Sequence, residues 1–306
     1  MGFRVYVGVR ETEPVRLLPV RVVWLALPLV AGPAASSALD GWRDAPRVTG
    51  AALLWITWGV GLVALLAPRP IGLTAVRVAA PAFVVCAIAI AIDGSASTLE
   101  TIGAVGGTIA AAVLVADPAV ALEAANGVAY GEERRFPLRT PTALYLVPVP
   151  LARAVVAAGI AAGPLLVADE QWALGAVALV VGLPLAWLAW RSLMLLASRW
   201  LVAVPAGFAL VDPMTLADPV LMQRRNLRGV HARPGTAPIE RGVTDLRLGA
   251  TLGTVQIDLD GEVDLVRGGR GARQNETLRP RGVLVAVTGR GELLERARAP
   301  RAAFRD

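Results

Sequence analysis

The sequence predicts an α-helical membrane bundle of about six transmembrane helices, followed by a small mainly-β domain with one C-terminal helix. Three observations predict it. Residues 17–196 form a series of long apolar runs with short punctuation. Beyond Trp200 the chain turns Arg-rich, polar and alternating. Hydrophobic residues make up 55% of the whole and mean hydropathy is +0.58, beyond the usual apolar share of a soluble protein. The expected organisation is a cytoplasmic N-terminal segment (1–16), a transmembrane domain (17–198) and a cytoplasmic β domain (199–306), the last long enough for one small core.

The net charge of +6 comes from arginine alone, since the chain has no lysine. Many arginines flank apolar runs, where a membrane protein needs them, so the basic excess does not point to nucleic acid. The single cysteine, Cys86, lies inside an apolar run and leaves no intrachain disulfide.

A hydrocarbon core of about 30 Å takes about 20 apolar residues of helix. The six candidate runs are 17–39, 49–67, 71–92, 101–116, 143–167 and 172–196. The first is interrupted by Arg21 and Pro28. With Ser36-Ser37-Ala38 behind it, it also reads as a signal peptide, although its long basic lead contains Glu11 and Glu13. Arginine placement gives the orientation. Arg4, Arg10, Arg16, Arg69, Arg134, Arg135, Arg139 and Arg199 fall on one side, while the other side holds only Arg43 and Arg47, close to Asp40 and Asp44. That asymmetry predicts both termini in the cytoplasm of a plasma-membrane protein.

Gly103/Gly107 and Gly159/Gly163 have the spacing that lets two helices approach closely. Arg21, Arg77 and Arg191 lie near helix ends, where they can snorkel. Arg153 is the candidate intramembrane polar site. A helix starting at Ala143 would place it about 15 Å in, near the midplane. A helix starting after Pro150 places it near the headgroups, and the two prolines favour this second reading. No Asp, Glu or His lies deep in any run, which counts against a proton-driven pump.

The loop between the fourth and fifth runs is the most distinctive part of the membrane half. Asp117-Pro118 is a helix-start signature for a short helix that meets Asn126-Gly127. Tyr130, Glu132, Glu133, Arg134, Arg135 and Arg139 then form the candidate interaction surface. They suit an anionic headgroup, or docking of the soluble domain through paired charges. The plainer alternative is a solvated connector.

In the tail the period drops to two. Strands are expected at 201–204 and 208–211 around Pro205-Ala206-Gly207, and at 220–223. Val255, Ile257 and Leu259 alternate with Gln256, Asp258 and Asp260, and Asp260-Gly261 predicts a hairpin returning through Val263 and Leu265. A buried strand at 283–287 leads into a final helix at 292–299, with Glu292/Arg296 at i,i+4 and Pro300 as its stop. Arg267, Arg270, Arg273, Arg279 and Arg281 crowd a glycine-containing loop. It suits anionic lipid at about 1 kcal/mol per basic residue, or plain solvation.

The opening hairpin, the 220–223 strand with Asn226-Leu227-Arg228-Gly229-Val230, and the closing strand and helix resemble the bacterial pleckstrin-homology-like domain. The spans-then-tail order also resembles multi-pass membrane proteins of actinobacteria. No catalytic residue follows from that resemblance.

Without lysine there is neither a Walker A lysine nor a Schiff-base lysine. His231 and Cys86 alone cannot build a His/Cys zinc site, and serines confined to the membrane half make a triad with His231 improbable. No catalytic, cofactor or metal residues are assigned. The expected function is a non-enzymatic scaffold, assembly factor or regulator, with the lipid bilayer, anionic headgroups and membrane or cytosolic proteins as partners. The alternative is a small-solute or lipid carrier. A polar cavity reaching Arg153 favours the carrier, and a dry, tightly packed bundle favours the scaffold.

Overall fold

Prolines, glycines and capping side chains decide where each helix starts and stops. The computed structural model describes residues 17–127, 129–260, 263–268 and 276–298. Pro28 is accommodated inside α1 (Leu18–Val30), and the first run breaks at Ala31, where Pro33, lacking an N–H, stands in the first turn of α2 (Gly32–Asp40). α3 (Asp44–Leu66) and α4 (Pro70–Asp93) follow, the latter ending on Gly94 at φ +73°. Ser97 and Glu100 form a reciprocal capping box that starts α5 (Thr98–Ala116). Asp117 caps the short α6 (Pro118–Asn126). After α7 (Thr142–Leu146), α8 (Pro148–Ala168) and α9 (Trp172–Ala197) complete the bundle.

Among the described residues six helical segments are long and apolar enough to cross a bilayer. α4, with 24 residues, is about 36 Å long. Large side chains such as Leu29, Ile92 and Val180 remain exposed. Apolar residues all round a helix are stable only where the surroundings are apolar too.

Leu17, Val20, Trp24 and Leu27 form the buried stripe of the first helix. The Trp24 indole donates to the Trp58 carbonyl at 3.0 Å, and the Trp58 indole donates back to the Trp24 carbonyl at 2.9 Å. In hydrocarbon neither N–H would find water, so the exchange satisfies both while fixing α1 against α3.

The two glycine pairs sit at intrachain contacts. A Cβ on Gly159 would lie 2.5 Å from the Gly182 carbonyl oxygen, and one on Gly163 would lie 2.5 Å from Leu179. α8 and α9 therefore form a close hairpin. Gly103 and Gly107 admit Val30 at the bend between α1 and α2 in the same manner.

The β domain consists of two four-stranded sheets and a ribbon. β1 (Arg134–Pro137), β2 (Trp200–Val204), β3 (Gly207–Val211) and β4 (Val220–Gln223) pair in that order, all antiparallel. The second sheet contains β5 (Leu227–Ala232), β6 (Val243–Asp245), β7 (Thr254–Leu259) and β10 (Gly282–Ala286), in the order β5-β7-β10-β6. β6 lies parallel to β10, and the other pairs are antiparallel. β8 (Leu265–Arg267) and β9 (Glu276–Leu278) form the ribbon, and α10 (Arg290–Arg298) closes the domain. Phe136, Leu201, Leu210, Met222, Ile257 and Val285 meet in its core.

One expectation needs correction. The strand at Val255 to Leu259 does not fold back on the run at Val263 and Leu265. β7 is flanked on both edges by β5 and β10, so its backbone ladder is already filled, and β8 pairs with β9 instead. Gln256, which alternates with the apolar residues of β7, is buried as well. It is 2% exposed and its amide donates to Asp258 at 2.7 Å, while Arg233 donates to its carbonyl oxygen. The N-terminal segment 1–16 with Arg4, Arg10 and Arg16, the Gly261 turn, Arg270, Arg273, and the Ala299-Pro300 helix stop lie outside the described residues.

Overpacking the α8–α9 contact should be measurable. Gly159→Leu is expected to destabilise the bundle by about 1–3 kcal/mol, read as a lowered thermal midpoint in detergent. Val180→Leu, on an exposed face, should leave the midpoint in place.

Candidate functional site at the bundle–domain junction

The α6–α7 loop is built into the β domain. Its Arg134-Arg135-Phe136-Pro137 segment is the edge strand β1, in register as Arg134↔Ala203 and Phe136↔Leu201. Asn126, the last residue of α6, prepares the strand from the other side. Its Oδ1 accepts the Arg135 N–H and its Nδ2 donates to the Arg135 carbonyl, both at 2.8 Å. One side-chain amide thus substitutes for a neighbouring strand. Phe136 is fully buried, and full burial of such a side chain contributes about 1.5–3 kcal/mol. α6 faces two ways, with Val120 and Ala124 in the bundle core and Leu122 in the domain core.

The polar residues of this loop divide into four groups. Arg134 reaches α10 and donates through Nε to Glu292 at 2.6 Å and through Nη2 at 3.2 Å. Glu292 also meets Arg296, but at the longer distance of 3.6 Å. Arg135 pairs with Glu133 at 2.6 Å and lies 5.4 Å from the Trp200 ring centre. Tyr130 and Glu132 are exposed. Arg139 turns away from all of these, its Nε donating to the Val287 carbonyl at 3.3 Å.

Arg139 borders a cavity of about 410 Å³ between the floor of the bundle and the β domain. Arg77, Arg153 and Arg199 line it as well. α8 begins at Pro148, so Arg153 sits five residues in, about 7.5 Å from that end. Its guanidinium lies 5.9 Å from the Tyr145 ring centre. Arg77 extends along the end of α5, donating to the Val115 carbonyl at 3.1 Å and the Asp117 carbonyl at 3.4 Å. The Val115 carbonyl belongs to the last turn of α5, where a cation is favoured, while the Asp117 carbonyl also accepts the Val120 N–H.

Arg199 is different in kind. It is 1% exposed and forms a two-pronged pair with Asp212, at 2.8 Å for both prongs. Its Nη2 also donates to the Leu246 carbonyl at 3.3 Å. Among the described residues its Nη1 has no partner. Next to Leu246, Asp245 pairs with Arg247. Burial raises the Asp245 pKa, but the hydrogen bonds and charge of Arg247 outweigh it and hold the carboxyl below its ordinary value.

Elsewhere, His231 Nδ1 lies 3.3 Å from Asp258, so that carboxylate serves a side-chain network as well as solvent. Among the described residues no group of three or more His, Cys, Asp or Glu converges as a metal site. Arg77 and Arg199 were not singled out by the sequence as members of one site. Their only signal was a position at a helix end, which snorkelling already explains. Comparison with protein-family models, with curated proteins and with solved structures returns no match.

Removing the β1 clamps should expose the loop. In Asn126→Ala/Arg134→Ala, limited proteolysis is expected to cut between Gly127 and Arg139 at least about tenfold faster than in the native chain, as loss of about 1.4 kcal/mol of local stability requires. An unchanged cleavage pattern would show that the strand holds without them.

Proposed function

We propose that this chain is a plasma-membrane protein with both termini in the cytoplasm, whose β domain serves as a fixed platform on the inner leaflet. In this reading it is a scaffold, assembly factor or regulator for membrane or cytosolic protein partners, and it performs no catalysis. The observation that carries the reading is β1. A domain that takes its edge strand from a loop between two spans is held at one height and one rotation relative to the bilayer. A tethered enzyme does not need that constraint, whereas a docking platform does. The sheet pair closed by α10 supports a PH-like identity for the domain. The order of spans and tail supports kinship with actinobacterial membrane proteins of that design.

The orientation rests on arginine placement. Arg69, Arg77, Arg139, Arg153 and Arg199 lie at the domain side. At the far side Arg43 and Arg47 are each neutralised, by Glu170 and Asp40.

One observation favours the carrier alternative, namely the cavity reaching Arg153. The larger groove of about 740 Å³ higher in the bundle is lined by apolar side chains apart from Thr57 and Cys86. A neighbouring cavity of about 560 Å³ adds Ser36, Arg47 and Thr108, but this apolar groove lies between it and Arg153, and the scaffold reading is preferred on the strength of β1.

Cysteine labelling tests the orientation. In a Cys86→Ala background, Ser95→Cys should react with a membrane-impermeant maleimide in intact cells. Arg225→Cys should react only after permeabilisation, and the reverse pattern would overturn the topology. Arg153-dependent solute uptake into proteoliposomes would overturn the scaffold reading in favour of the carrier.

A further inference from the structure

The junction cavity concentrates positive charge on a lining that holds no carboxylate. Arg77, Arg139 and Arg153 converge on it from α4, the β1–α7 linker and α8. Among the described residues their partners are backbone carbonyls and the Tyr145 side chain, and none pairs with an acid. Arg77 is repelled by Arg153 and attracted by the Asp117 carboxylate, which acts on it without forming an ion pair. The nearest ion pair, Arg199–Asp212, is internally balanced, yet it leaves a buried guanidinium N–H without an acceptor. Solvation alone is a poor balance for such an array, because the far wall of the cavity is the apolar floor of the bundle at Leu73, Val149 and Leu193. Unpaired charge beside hydrocarbon calls for a counter-ion.

We propose that this cavity binds a phosphate-bearing anion, with Arg77, Arg139 and Arg153 as its ligands. Guanidinium forks match phosphate oxygens in charge and in planar geometry. A phosphate group offers several acceptors around one centre, as three arginines arriving from three directions require. Thr140 and Thr142 add hydroxyl donors at the rim. The volume suits a headgroup or a small phosphate ester. The proposal is independent of which protein the β domain engages.

A phosphate of this kind comes either from a lipid headgroup or from solution, and the test separates the two. The purified full chain, in an uncharged detergent, is titrated with short-chain phosphatidylglycerol, with short-chain phosphatidylcholine and with inorganic phosphate at matched ionic strength. The readout is the thermal midpoint. A rise with phosphatidylglycerol alone supports a headgroup site, and a rise with inorganic phosphate supports a soluble ligand. Arg139→Gln/Arg153→Gln should raise the half-saturating concentration at least about tenfold, the loss of one charge-assisted hydrogen bond or more. Arg225→Gln, on the exposed domain surface, should not change it. If the double variant does not fold, Arg139→Gln alone is used and should weaken the response in the same direction. No rise with any probe, equal rises with the two lipids, or rises unchanged by these variants would overturn the proposal.

Discussion

An edge strand borrowed from a membrane loop is the constraint on which the rest of the architecture depends. A sheet edge carries a row of backbone donors and acceptors that must be paired, covered or wetted. Here β2 is covered by β1, and β1 comes from between two spans rather than from the domain's own sequence. The chain therefore leaves the bundle through α6, enters the sheet, returns to the bundle at α7, and enters the sheet again from α9. Three covalent crossings tie the two halves together, and Asn126 and the Arg134–Glu292 pair add side-chain ties at the same seam.

The seam explains the electrostatics around it. Helix ends on one face of a bundle collect arginines for orientation, and a soluble domain hung loosely below would leave them in water. With the domain clamped close, Arg199 is buried and Arg77, Arg139 and Arg153 are half-buried between apolar helix floor and β loops. Arg199 resolves this internally through Asp212. Replacing such a pair wholesale is often neutral, whereas removing one partner from a buried pair costs about 3–5 kcal/mol. Arg77, Arg139 and Arg153 have no such resolution within the described chain, and this residual imbalance distinguishes the junction from an ordinary domain interface. The bundle above contributes none of it, because its contacts are made by small residues, reciprocal indole bonds and apolar stripes.

Much of this was legible in the sequence because the signals are local. Twenty apolar residues in a row can be read without a partner, and so can Asp117-Pro118 as a helix start or the β2–β3 hairpin around its short turn. The continuous apolar run of β10 also announced a buried strand. What was not legible depends on partners distant in sequence. Arg134-Arg135-Phe136-Pro137 is short, charged and ends in proline, so it has almost no strand signature of its own, and its partner lies more than sixty residues away. The Asp260-Gly261 turn signal was misleading because β7 had two better neighbours. Alternation alone does not tell that Gln256 is buried, because Arg233 and Asp258 supply the polar partners that allow it. Arginine counts bear only on the expected sidedness of the chain, and only the fold brings Arg77, Arg139 and Arg153 onto one cavity.

The most direct measurement of the central claim is a cysteine pair across the β1–β2 seam. Arg134→Cys with Ala203→Cys, in a Cys86→Ala background, places two thiols at directly paired positions, within the Cα range of about 4.4–6.8 Å that a disulfide tolerates. Mild oxidation of native membranes should link them nearly completely, while Tyr130→Cys with Ala203→Cys should stay reduced. If the paired positions do not link, or link no better than the control, the loop is not part of the sheet and the domain is not fixed to the bundle in this way.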